Sequence, residues 1–206
     1  LQEQGSRTAA PDGAALLGEA VDAYRAALRV RTEADHPVHW ATTMQNLGAA
    51  LRNQGERTAG PEGAALLGEA VDAYRAALRV FTEADSLAEW ATTMQNLGNG
   101  LLTHGERTAG SVGAALLAEA VAAYRAALRV FTEADHPVQW AMTQGNMAIA
   151  ERARALHDTC ADPRPHLEAA LAHVEAALTV YDPEHLPFDH DKATELRDDL
   201  RTRLAA

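Results

Sequence analysis

Cysteine, lysine, isoleucine and aromatic residues are all scarce in this chain. Its 206 residues include one cysteine (Cys160), one lysine (Lys192), one isoleucine (Ile149) and 5% aromatics. A single cysteine excludes an internal disulfide and fits a reducing compartment, so the expected location is cytoplasmic. No apolar run approaches the roughly 18 residues that a membrane span requires, and no charged-then-apolar leader opens the chain; no membrane partner is expected. Positive charge is short as well, with 18 Lys and Arg against 29 Asp and Glu and a net charge of −11. That balance repels phosphate backbones, so nucleic acid is excluded as an expected partner. No G-x-S-x-G, P-loop, G-x-G-x-x-G or H-E-x-x-H motif occurs, and neither catalysis nor a cofactor is expected. What the chain has in quantity is alanine, 46 residues by count, within a 47% apolar composition. Alanine is the best helix former and sheets favour aromatics, so the expected fold class is all-α. Seventeen arginines against one lysine suggest a GC-rich bacterial source.

The chain repeats every fifty residues. Residues 5–54 and 55–104 agree at 37 of 50 positions without a gap, and 55–104 and 105–154 at 31 of 50. Such self-similarity marks a repeat architecture. Within one unit Trp40, Met44, Leu47 and Leu51 form one helical stripe, and Leu67, Val71, Tyr74, Leu78 and Phe81 form another. The intervening Gly55-Glu-Arg-Thr-Ala-Gly-Pro61 stops the first helix and starts the second. Pro37 breaks the chain again, with Asp35 or a neighbour as the expected cap of the helix that follows. The resulting map is 12–34, 37–54, 62–84, 87–104, 112–134, 137–156, 164–181 and 188–204. Neither helix of a hairpin can cover its own apolar stripe, so the hairpins are expected to stack as an α-solenoid. The repeat units are 1–36 (partial), 37–86, 87–136 and 137–186, followed by a capping helix over 187–206. Leu1-Gln2-Glu3-Gln4-Gly5 aligns with the end of a first helix, so further repeats are expected upstream.

Met44-x2-Leu47-Gly48-x2-Leu51 followed by Ala70-x3-Tyr74-x2-Ala77 resembles the tetratricopeptide-repeat signature, W-x2-L-G-x2-Y and then A-x3-F. The unit of fifty exceeds the usual 34, as in a long variant with a stretched inter-helix loop and a longer second helix. Ala27-Leu-Arg-Val-Arg31 through Asp35-His-Pro37 to Gln45-Asn-Leu47 is similar to the longer repeats of kinesin light chains. The resemblance implies a right-handed superhelix of antiparallel hairpins. The third repeat departs from it, with Met147-Ala148 for Leu-Gly, Glu151 for Leu and Ala155 for Gly.

In tetratricopeptide proteins the face of the first helix opposite its core stripe lines a concave groove. Asn46, Asn96 and Asn146 match the position where several members carry asparagines that grip the main chain of an extended peptide. The chemistry suits this, because a carboxamide both donates and accepts and can pair with a peptide unit without selecting its side chains. Nearby lie Thr42, Thr92, Gln45 and Gln95, unchanged between the first two repeats, and Ala49, Asn99, Arg52, Asn53 and Thr103, which differ between them. The unchanged set would hold a partner's backbone and the variable set would read its side chains. The alternative is that the variable positions are merely tolerant and that each asparagine bonds a neighbouring helix.

The expected function is therefore a protein-interaction module for a peptide or extended segment. Two alternatives stand beside it: self-association of the repeat array, and a regulatory or sensory arm of a larger enzyme. Trp40, Trp90 and Trp140 head core stripes and are expected to pack inward. The acidic pairs Glu33/Asp35, Glu83/Asp85 and Glu133/Asp135 recur as equivalents, unlike an acid and base in divergent environments, and are expected to be caps and solvated charges. One cluster is not repeated: His157, Asp158, Cys160, Asp162 and His166. Its spacing fits none of the common structural zinc patterns, so no metal is expected.

Overall fold

A computed structural model of the chain describes residues 10–206, with side chains from residue 13 onward. The read-out of residues 1–5 as a helix end lies outside the described residues. Every regular element among the described residues is an α-helix: α1 (Ala10–Leu28), α2 (Pro37–Arg57), α3 (Gly60–Ala77), α4 (Leu87–Glu106), α5 (Gly110–Ala127), α6 (Pro137–Leu156), α7 (Arg164–Leu178) and α8 (Pro187–Ala205). None is long and apolar enough to cross a membrane. The chain divides into two compact units, 1–104 and 105–206.

In the first unit α2 packs on both α1 and α3. The two-residue link Thr58-Ala59 between α2 and α3 forces the pair antiparallel. The link is this short because glycine permits it. Gly60 opens α3 at φ +70°, a left-handed conformation that side chains resist. A Cβ on Gly63 would collide with the Thr58 carbonyl. The expected stretched inter-helix loop is therefore absent, and the second helix is the shorter member of the pair, 18 residues in α3 against 21 in α2.

The length instead sits between repeats. The second helices end at Leu28, Ala77, Ala127 and Leu178, short of the expected 34, 84, 134 and 181. After Ala77 the backbone tightens into three-residue turns, with Arg79 N–H on Ala76 O and Val80 N–H on Ala77 O, both at 3.1 Å. A Thr-x-x-Asp turn follows. The Asp85 N–H donates to Thr82 Oγ1 at 3.1 Å, and that hydroxyl donates to Asp85 Oδ2 at 2.8 Å. Thr32/Asp35 and Thr132/Asp135 repeat it. These aspartates thus lock their own turn rather than cap the next helix, whose N-cap positions, His36 and His136, make no side-chain cap bond.

The core of the first unit is built on Tyr74, which is fully buried. Its ring lies between two glycines: a Cβ on Gly48 would come within 2.8 Å of the ring, and one on Gly100 within 3.4 Å. Leu51, Leu67, Val71, Phe81 and Leu101 are buried beside it in the sequence stripes. Of the tryptophans Trp90 is buried, whereas Trp40 and Trp140 are half-buried. Arg79 lies over the Trp40 ring at 5.1 Å and pairs with Glu33 at 2.7 Å. That guanidinium holds the Glu33 carboxyl below its usual range.

In the second unit α6 packs on α5 and α7, and α7 on α8. Ala148, Leu167, Val174, Tyr181 and Leu200 share one buried cluster, with Trp140 packed against it. The third hairpin departs from the others. Pro163 stands where Gly63 and Gly113 stand, Cys160 where Gly60 and Gly110 stand, and the link between α6 and α7 runs over 157–163. Without the two glycines the tight link cannot form, and the second helix starts a turn later.

Candidate functional site

The repeated polar face is carried by α2 and α4 in the first unit and by α6 in the second. Apolar residues at Leu47, Leu51, Leu97 and Leu101 turn one side of α2 and α4 inward. Thr42 and Asn46 lie two residues on from Trp40 and Met44, and Thr92 and Asn96 two residues on from Trp90 and Met94, about 200° around the helix from them. Asn46 is exposed on α2; Asn96 on α4 and Asn146 on α6 are half-buried. Asn46 and Asn146 each engage a neighbour.

The remaining expected residues fall into three groups. Thr42 and Thr92 are exposed, and each hydroxyl donates at 2.9 Å to a carbonyl one turn back, Val38 O and Ala88 O; their lone pairs still face outward. Gln45 and Gln95 sit deeper. Gln45 Nε2 donates to Thr93 Oγ1 at 3.1 Å, joining α2 to α4, and Gln95 is only 7% exposed. The Gln45 bond ties the register of α2 to that of α4. Ala49, Asn99, Arg52, Asn53 and Thr103 are half-buried. Three of them form a small network in which Arg52 Nη2 donates to Asn53 Oδ1 at 3.1 Å, Arg52 pairs with Glu56 at 3.3 Å and the Thr103 hydroxyl donates to Glu56 Oε1 at 3.4 Å. Of the residues unchanged between the first two repeats, Thr42, Thr92 and Asn46 are exposed and Asn96 half-buried, whereas Gln45 is bonded between helices and Gln95 is buried.

The unrepeated cluster has a different character. No group of three or more His, Cys, Asp or Glu among the described residues is arranged to hold a metal. His157 and Asp158 tie their loop to the preceding one: His157 Nε2 lies 3.1 Å from Thr108 O, and the Gly110 N–H donates to the Asp158 carboxylate at 3.1 Å. Asp162 accepts the Arg164 N–H at 3.1 Å, where α7 begins. His166 Nδ1 lies 2.8 Å from Glu151 Oε2.

Glu151 is the centre of this cluster. It replaces Leu51 and Leu101 in the core stripe and is 2% exposed. Arg154 Nη1 reaches both its oxygens, at 3.2 and 3.1 Å, and Arg125 lies 3.7 Å away. A carboxylate at a position reserved for leucine is a legible signal, because charge enters a core only with partners. The partners, from α5, α6 and α7, were not legible without the fold.

Burial lowers the pKa of two histidines. Desolvation depresses His104, and it depresses His173 against a smaller opposing pull from Glu151. His173 Nδ1 is also 2.7 Å from Gln144 Oε1. A histidine whose folded pKa lies below its unfolded value contributes fully above that unfolded value of about 6.5, and the contribution fades as pH falls from there toward the folded pKa. The melting temperature is therefore expected to decline just below pH ~6.5, before the carboxylates titrate. His104→Gln combined with His173→Gln should flatten that first step, as read by thermal melts at closely spaced pH values; an unchanged step would refute the assignment.

The chain matches no protein-family model, and no curated protein and no solved structure is significantly similar to it.

Proposed function

We propose that the chain is a protein-interaction module of tetratricopeptide type, and that the polar face of its first helices holds an extended peptide segment of a partner protein. The observation that carries this reading is the recurrence of Asn46, Asn96 and Asn146 at the same place on α2, α4 and α6, each at least partly exposed, at an interval of fifty residues. A linear ligand with a repeating backbone is the natural complement of Asn46 and Asn96, which α2 and α4 of the first unit carry at the same helix position. The Gln45–Thr93 bond supports the reading further, since it fixes the relative register of α2 and α4 and so of Asn46 and Asn96. The −11 net charge favours a neutral or basic segment over an acidic one.

Panning a random peptide library against the chain and measuring a selected peptide by fluorescence anisotropy tests the reading. The double variant Asn46→Ala, Asn96→Ala removes two or more hydrogen bonds of about 1 kcal/mol each and is expected to weaken binding roughly tenfold to a hundredfold. Helicity and melting should stay close to wild type. Unchanged affinity in a folded variant would end the proposal; loss of folding would show that the amides are structural.

A further inference from the structure

In the second unit the outer face of α6 keeps the asparagine of the repeat and changes its neighbours. Met142 stands where Thr42 and Thr92 stand, Gly145 where Gln45 and Gln95 stand, and Ile149, the one isoleucine of the chain, where Ala49 and Asn99 stand. Val138, Met142, Gly145 and Ile149 follow one another at helical spacings and so share one face. Val138 is 47% and Met142 42% exposed, and Gly145 and Ile149 are half-buried. Granted that the polar faces of the first helices hold an extended segment, the reading on which this rests, we propose that the second unit selects an apolar side chain of that segment, laid on Val138, Met142 and Ile149, with a lysine or arginine of the same segment against Asp189 of α8.

In the first unit Gln45 bonds Thr93 across α2 and α4. The corresponding places on α6 and α8 hold Gly145 and Ala193, which can make no such bond. The two helices still lie side by side, with Arg152 3.5 Å from Asp199. Tyr181, at the place of Phe81 and Phe131, sends its hydroxyl to where the glutamine stands in the other repeats: a Cβ on Gly145 would lie 3.7 Å from it. Tyr181 is 8% exposed, and its hydroxyl makes no hydrogen bond among the described residues. A phenol buried to that degree ordinarily has a partner, and a main-chain carbonyl of a segment lying along α6 supplies one. Burial, with a smaller push from the Asp189 carboxylate, takes this phenol up to about 12, so it stays a donor at neutral pH.

Charge sets the second half of the preference. Asp189, in the first turn of α8 and half-buried, forms no ion pair among the described residues. Between residues 182 and 195 five carboxylates stand against one lysine and two histidines, so the stretch is negative even with both histidines protonated. His185 and His190 lie against Asp182 and Asp191, at 2.8 and 3.5 Å, and Lys192 lies over the Phe188 ring at 4.1 Å. Asp189 is therefore left to a cation from outside the chain.

Panning a phage-displayed random decapeptide library against the full chain should enrich sequences with an apolar residue close to Lys or Arg. For one such peptide, followed by fluorescence anisotropy, exchanging the apolar residue for serine is expected to weaken binding roughly tenfold. Met142→Thr with Ile149→Ala, which restores the residues of the first repeat, should weaken the parent peptide about as much and leave the serine peptide unchanged, at an unchanged melting temperature. Tyr181→Phe should weaken both peptides roughly fivefold, and Asp189→Asn should weaken them about twofold to fivefold, with less effect at high salt. Peptides that lose affinity in Asn46→Ala, Asn96→Ala but not in Met142→Thr, Ile149→Ala overturn this inference and leave the peptide-holding role standing. Failure to select any peptide ends both.

Discussion

Tyr74→Ala is expected to destabilise the chain by about 3–5 kcal/mol, the range for emptying a fully buried aromatic site. The ring is 0% exposed and fills the space that Gly48 and Gly100 leave open, so its removal leaves a cavity bounded by backbone, which cannot close by a change of rotamer. Its hydroxyl, in contrast, has no protein partner and is pushed up to about 12 in pKa, chiefly by burial. Tyr74→Phe should therefore be nearly neutral, which separates the ring from its polar atom. Gly48→Ala is expected to cost about 1–3 kcal/mol as an overpacking change, since its Cβ would sit 2.8 Å from the ring. The third hairpin supplies the compensated pair: Ala148 and Val174, both fully buried, occupy the places of Gly48 and Tyr74. Gly48→Ala should then cost little in a Tyr74→Val background. Urea denaturation of the two single variants and the double one gives the coupling, and simple additivity would contradict this packing.

The hairpins were legible because their punctuation is local. Gly55, Gly60 and Pro61 act on their own backbone, and the stripes through Leu67, Val71 and Tyr74 need no knowledge of what they face. The helix ends after Leu28, Ala77 and Ala127 were less legible, because Leu78-Arg79-Val80-Phe81 continues the helical period while its backbone already tightens. The recurring Thr-x-x-Asp was the signal there: a side chain that bonds its own turn competes with the helix. Gln45 and Gln95 show the limit for the polar face. A glutamine on the border of a stripe suits a ligand or a neighbouring helix equally well, and only the position of Thr93 decides between them. The short inter-helix link was obscured by the family comparison, in which extra repeat length was assigned to the loop between helices rather than to the turn between repeats.

The Glu151 cluster was hidden for a further reason. Its residues lie on three helices, and no spacing in the sequence joins Arg154 to Arg125 or His166. What sequence does show is substitution against a repeat: Leu to Glu at 151, Gly to Cys at 160, Gly to Pro at 163 and Leu to His at 166. Four such exchanges within sixteen residues mark a place where the repeat has stopped being only a repeat.

Glu151 gives the second large effect, and the effect is asymmetric. Removing its partners with Arg154→Ala and His166→Ala is expected to cost about 3–5 kcal/mol, because a buried carboxylate loses its compensation. Glu151 is 2% exposed, and after both truncations Arg125 alone remains of its charged partners, at 3.7 Å. Glu151→Leu, which restores the residue of the other repeats, should be close to neutral. Its stranded partners are not sealed in: the side chains of Arg154, His166 and Arg125 are 28%, 27% and 66% exposed and can turn to solvent, while leucine regains the apolar burial of Leu51 and Leu101. The triple variant joining all three substitutions decides whether charge or packing is responsible. If stranded charge is the cause, Glu151→Leu restores most of the stability lost by the double variant in thermal and urea melts. If the triple variant is no more stable than the double one, the loss came from the truncated side chains, and the carboxylate is not what Arg154 and His166 are there to hold.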